Sequence, residues 1–243
     1  MSRDLPGTSN TFLTTAAGAA YSASTLSAGG WVFLDTIPGA GLTVGAGMPS
    51  LFTHKYASNP LPLSISVANT NDWPGTVDRR WGANGYSGSA WGTCAIDTVQ
   101  APVGSWTHIF ATRNGNTNVK FYRDGVLRGT GTPAAYNATT QVLHVGVRWD
   151  SETGTSTRLD GRVSRLGWWN AELNATEVAA LAAGASPLMV RPSALVSYWP
   201  LWGLGSAEPD WKGGAALTQS GTVAGSTAEP PRVAIPLLTA ASL

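Results

Sequence analysis

The chain has 243 residues, 15 basic and 14 acidic, for a formal charge of +1, so it lacks the field needed to gather nucleic acid or anionic lipid. One cysteine, Cys94, excludes an internal disulfide, and 29 glycines beside only 12% charged residues indicate a turn-rich globular chain. The length fits one all-β domain, since such domains run to roughly 200–250 residues.

The first twenty residues hold no apolar run of signal-peptide length, and no later stretch reaches the length of a membrane helix. The expectation is synthesis in the cytoplasm without a signal peptide and without membrane insertion. Short apolar or alternating runs then follow one another, separated by Gly, Pro, Asn and Asp clusters that mark turns between strands. The clearest strands lie at 31–34, 61–68, 105–112, 119–123, 126–128, 141–147, 162–169 and 194–200.

In the run 105–112, Trp106, His108 and Phe110 alternate with Thr107, Ile109 and Ala111, and neither set is strongly polar. This predicts a strand with both faces covered. Asp124-Gly125 between two strand patterns supplies the positive backbone angles of a two-residue hairpin. Asn174 and Glu177 form a capping-box pattern, Leu173 and Val178 a hydrophobic staple, and Gly184 a stop, which together predict one short helix over 175–183.

Residues 203–243 differ in character. They are rich in Gly, Ala, Ser and Thr and end in an apolar, proline-punctuated segment containing Val233, Ile235, Leu237 and Leu238. A free tail of this kind is poorly solvated, so it packs either on its own domain or on a neighbouring subunit. The expected organisation is a sandwich over 1–202 and an extension over 203–243, with the four apolar tail residues as candidate assembly contacts and a homo-oligomer as the expected state.

From 104 to 184 the chain presents Gly104-Ser-Trp106, Tyr122-Arg-Asp124-Gly125, Leu143-His-Val-Gly146, Leu159-Asp160-Gly161, Trp168-Trp169-Asn170 and the Asn174 helix, in that order. This succession resembles the laminin-G-like, concanavalin A-like jellyroll family. The resemblance implies an all-β fold of two antiparallel sheets packed face to face, whose core would absorb many of the eleven tryptophans. It also places Ser197-Tyr-Trp-Pro-Leu201, a segment similar to an opening strand, late in the chain, and implies that this late strand fills the place of a first one. The same Tyr-Trp-Pro-Leu segment, with the Gly-rich stretch and Pro230-Pro231, resembles laminin-G-like proteins encoded by bacteriophages. That implies a virion accessory protein, for shell decoration or host-surface adhesion, located on the virion surface among other virion proteins.

Catalysis is not expected. The paired carboxylates that a jellyroll glycosidase carries on one strand face are missing, and Glu208-Pro-Asp210 lies in a Gly-rich segment instead. His54, His108 and His144 form no metal spacing, and Cys94 reads as a small buried residue. No cofactor is expected: calcium is common in the family, but the strand after Asp160-Gly161 carries Ser164 and Arg165 where an acidic pair is usual. Asp124 and Asp160 read as turn residues.

Binding remains. The segment 69–91 mixes Trp73, Trp81, Tyr86 and Trp91 with Asn, Asp, Ser and Arg, a combination that stacks on sugar faces and bonds hydroxyls. The alternative is that Trp81, Tyr86 and Trp91 pack a long hairpin. Two functions follow: a structural or adhesin module on a large assembly, with a host-surface glycan as a candidate ligand, or a free carbohydrate-binding lectin.

Overall fold

The computed structural model describes residues 1–7, 11–37, 49–54, 60–68, 79–147, 158–202, 205 and 207–231. Among these, strands β1 (Ser2–Pro6), β2 (Phe12–Thr14), β3 (Thr25–Thr36), β4 (Ser50–His54), β5 (Leu61–Ala68), β6 (Arg80–Tyr86), β7 (Ala95–Ile96) and β8 (Trp106–Asn114) form the first half. Then come β9 (Asn118–Arg123), β10 (Val126–Gly131), β11 (Leu143–Val145), β12 (Asp160–Trp169), helix α1 (Ala175–Ala182), β13 (Leu195–Trp199), β14 (Ala207–Glu208), β15 (Leu217–Ser220) and β16 (Ala224–Ser226). Sheet one runs β10-β9-β8-β3-β12-β1-β16, with β13 also paired to β12, and sheet two runs β14-β15-β2-β11-β4-β5-β6-β7. The pairings in both sheets are antiparallel.

The main core lies between the sheets and joins Ile65 and Trp81 of sheet two to Ile109, Phe121, Trp168 and Trp199 of sheet one. Trp168 is at its centre, with Tyr21, Phe52 and His54 meeting its ring edge-on at 5.7–5.8 Å. Strand alternation sends Phe110 and Trp169 to the opposite face of sheet one, where they join Val178 and Leu181 of α1 in a second apolar cluster. The expectation that 105–112 has both faces covered is therefore met, and the molecule has three layers: helix, sheet, sheet.

Local chemistry forms the expected elements. Asp124 and Gly125 adopt φ of 51° and 77° at the β9–β10 turn, as a type I′ hairpin requires. A Cβ on Gly125 would stand 2.9 Å from the Ala179 Cα, so α1 can cross this turn only over a glycine. The capping box is complete: the Glu177 amide donates to Asn174 Oδ1 at 3.0 Å, and the Asn174 amide donates to Glu177 Oε2 at 2.7 Å. Leu173 and Val178 are both buried in the second cluster.

One expectation is corrected. The late strand β13 does not replace a first strand, because β1 exists and pairs with β12 over Asp160–Val163, while β13 pairs with β12 over Leu166–Trp169. A single ten-residue strand offers enough edge for two short partners placed end to end, with a bulge at the change-over. The described part of the C-terminal segment is also woven in: β15 pairs with β2 and β16 with β1. Arg3 of β1 and Glu208 of β14 form a buried ion pair, with side chains 3% and 2% exposed.

Candidate functional site

In β6, Trp81 and Ala83 point into the main core, so Gly82, Asn84 and Tyr86 point to the outer face of sheet two. This corrects Trp81 as a ligand residue: at 1% exposure it packs between the sheets and cannot stack on a ligand. Tyr86 and Trp91 differ. The Ser87 amide donates to the Ala90 carbonyl at 2.9 Å, and Ser87 Oγ accepts from the Ala90 amide at 3.0 Å, closing a tight turn. The turn places Trp91 opposite Tyr86 in an isolated antiparallel bridge, so both rings project from one face. Their centroids lie 4.7 Å apart at a tilt of 35°, Tyr86 is half-buried and Trp91 is 42% exposed.

A buried polar row leads away from this pair on the side of sheet two that faces away from the main core. Ser50 and Ser66 hydroxyls lie 2.7 Å apart, Ser66 and Ser64 lie 3.0 Å apart, and Ser64 is in register with Asn84. Asn84 Nδ2 donates to Cys94 Sγ at 3.4 Å, while its buried Oδ1 has no hydrogen-bond partner among the described residues. Burial pushes the Cys94 thiol up to about 12, so it stays protonated and serves packing rather than nucleophilic chemistry.

The rim comes from residues 132–137. A Cβ at Gly92 would sit 2.4 Å from the Thr132 carbonyl oxygen, so a glycine lets the Trp91 segment lie directly against this loop. Asn137 Nδ2 donates to the Ser87 carbonyl at 2.6 Å, and Asn116 Oδ1 accepts from the Tyr136 amide at 2.7 Å. Buried Arg113 holds the rim from beneath, donating to Pro62 O and Ala134 O, each at 2.6 Å, with its guanidinium 5.7 Å from the Tyr136 ring centre. Burial pulls Arg113 down to about 10, which leaves it charged at neutral pH. This end of sheet two thus presents a paired Tyr86 and Trp91, exposed Asn116 and Asn137, and exposed Ser89.

Among the described residues, acid–base groups do not converge here. Burial lowers His54 and His108 to about 3, so both are neutral, His54 in the main core and His108 between Trp31 and Phe110 on sheet one. The described residues do not fit a calcium site either. Asp4, Asp35 and Asp160 gather around Arg162, which takes Asp35 at 2.9 Å, and among the described residues no group of His, Cys, Asp or Glu could hold a metal ion. Asp124 acts as a turn residue, its Oδ1 accepting from the His108 amide at 2.9 Å.

Trp73 and the candidate assembly residues Val233, Ile235, Leu237 and Leu238 lie outside the described residues. Tyr86 and Trp91 are brought together. Sequence reasoning missed Asn84, Ser64, Ser66 and the 132–137 rim, although strict alternation in Leu61–Ala68 and Arg80–Tyr86 separates the inward from the outward residues. Among the described residues, no helix is long and apolar enough to cross a membrane.

A family model described as the concanavalin A-like lectin/glucanases superfamily matches residues 7–179. No curated protein matches the sequence. Among solved structures, the chain is similar to a heptameric SAP-like pentraxin from Limulus polyphemus, at 13% identity and a TM-score of 0.61, over 93% of this chain and 95% of that one. It is also similar to domain 4 of a GH43 extracellular arabinanase from Geobacillus stearothermophilus, solved in complex with arabinotriose, at 23% identity and a TM-score of 0.53, over 74% and 76% of the two chains. At these identities the likeness is one of fold.

Proposed function

We propose, from the premise that the chain belongs to the concanavalin A-like lectin/glucanase superfamily, that it is a non-catalytic glycan-binding module whose site is the Tyr86–Trp91 end of sheet two. One observation carries this reading: the only described ring pair in the 79–91 segment stands on the outer face, half open to solvent, beside exposed amides and a hydroxyl. An indole face stacks on the C–H face of a pyranose or furanose, and Asn116, Asn137 and Ser89 supply donors and acceptors for sugar hydroxyls. The arabinotriose complex of a similarly folded domain supports a sugar as the ligand class. The reading needs no metal ion and no titrating group.

The test is a glycan array probed with the full chain and with Trp91→Ala. Binding that depends on Trp91 supports the proposal, and a silent array rejects it.

A second reading concerns where the module works. The apolar segment 230–243 favours attachment to a larger assembly, such as a virion on which the sandwich decorates the shell or adheres to the host surface. Homo-oligomerisation or docking on virion proteins would then run through Val233, Ile235, Leu237 and Leu238. Sedimentation of a chain lacking 230–243 tests this: loss of self-association supports it, and an unchanged state in both chains contradicts it.

A further inference from the structure

A second site lies on the other sheet, at the point where β12 changes partners. There β1 ends its pairing and β13 begins, and the gap opens a cleft of about 190 Å³ lined by Met1, Ser164, Arg165, Trp202 and Glu229. The bulge between Ser164 and Gly167 turns Arg165 outward, with its amide donating to the Pro200 carbonyl at 3.2 Å. Ser164 is buried and its hydroxyl faces the Met1 carbonyl at 3.2 Å and the Pro200 carbonyl at 3.4 Å, so it ties both partner strands to the bulge.

Two non-glycine residues at this cleft adopt left-handed backbone: Arg165 at φ 50° and Leu201, next to Trp202, at φ 60°. Such conformations persist only where the surrounding structure imposes them, and they concentrate at binding sites. Here they aim a cation and an aromatic ring into the same opening.

The charges favour an anion. Glu229 Oε1 is held by the Met1 nitrogen at 2.8 Å and makes no ion pair with Arg165. Among the described residues the Arg165 guanidinium has no hydrogen bond or ion pair, which leaves a cation in the described lining open to a ligand. Beside it Trp202 is 43% exposed, and its ring is braced edge-on by Trp211 at 4.4 Å, which in turn meets Tyr198 at 6.2 Å. A planar guanidinium takes a carboxylate by two parallel hydrogen bonds, and a fixed indole offers a stacking face.

We propose that this cleft binds a carboxylate-bearing sugar, a uronic acid residue of a polysaccharide, with Arg165 on the carboxylate and Trp202 against the ring. The sugar class rests on the glycan-binding reading above, while the cleft, the charge and the location are independent of it.

Calorimetric titration of the full chain with trigalacturonate and with galactotriose tests the inference, using variants whose thermal unfolding matches the wild type. Trigalacturonate should bind about tenfold more tightly than galactotriose, from the charge-assisted pair. Arg165→Gln should erase that preference, Arg165→Lys should keep part of it, and Trp202→Ala should weaken trigalacturonate by about tenfold. Trp91→Ala should leave the preference intact. Equal affinity for the two oligosaccharides, no binding of trigalacturonate, or a preference that survives Arg165→Gln overturns the cleft. Neutral-glycan binding lost in Trp91→Ala with no acidic preference would reject this inference alone. A preference controlled by Arg165, with no glycan responding to Trp91, would reject the sheet-two site alone.

Discussion

The two sheets use their outer faces in opposite ways. The part of sheet one beneath α1 is apolar, with Phe110, Tyr122 and Trp169 sealed under Val178 and Leu181. The outer face of sheet two carries Ser50, Ser64, Ser66 and Asn84 and ends in the solvent-facing Tyr86–Trp91 pair. A helix can close the first face because burying large side chains against one another is favourable without any directional bonds. The second face is lined with donors and acceptors that require partners of matching geometry. The contrast teaches that the same strand alternation yields a layer that a helix can close where both parities are apolar, and a row of hydrogen-bonded polar side chains where one is polar.

The largest effect that would sharpen this contrast is Trp169→Ala. Its indole is 1% exposed and its Nε1 donates to the Val190 carbonyl at 2.9 Å, so truncation should cost about 3–5 kcal/mol in a denaturant titration. A loss under about 1 kcal/mol would mean that α1 is not held by this face.

Acid comes next. His54 and His108 titrate near 6.5 when unfolded and near 3 when folded, so the unfolded chain binds more protons between those values. The stability conferred by neutral histidines is complete above about 6.5 and falls as pH drops toward about 3. Urea midpoints measured from pH 7 to pH 4 should therefore decrease steadily, and His108→Phe should flatten part of that slope. A midpoint independent of pH in this window would contradict the buried neutral state.

Asn174→Ala, which removes the cap of α1, should lower stability by about 1 kcal/mol, a modest loosening of the sheet-one cover. Trp91→Ala should change stability least, within about 0.5 kcal/mol, while weakening glycan binding about tenfold or more. Unfolding curves and affinity for one array-positive glycan, measured on the same sample, check both halves of that statement.

Elements set by local chemistry were legible in the chain. The Asp124-Gly125 turn, the Asn174 capping box and the alternating Leu61–Ala68 strand each depend on neighbours a few residues away. Strands β1, β2 and β14 to β16 were not, because they are two to five residues long and are defined by partners far along the chain, as Arg3 is by Val163 and Gly225. The sheet-two site was half legible. Composition selected Trp81, Tyr86 and Trp91 together, yet Trp81 and Tyr86 are an odd number of residues apart on one strand and must face opposite ways. The sheet-one cleft had no local signal at all, since Arg165 and Trp202 meet only because β1 and β13 share one edge of β12.

The most direct measurement of the central claim is the set of indole N–H resonances of the full chain, titrated with a glycan selected on the array. The Trp91 signal should shift on binding, while those of buried Trp81, Trp168 and Trp199 stay in place. A bound glycan that leaves Trp91 unmoved would contradict the assignment of the site to the Tyr86–Trp91 end of sheet two.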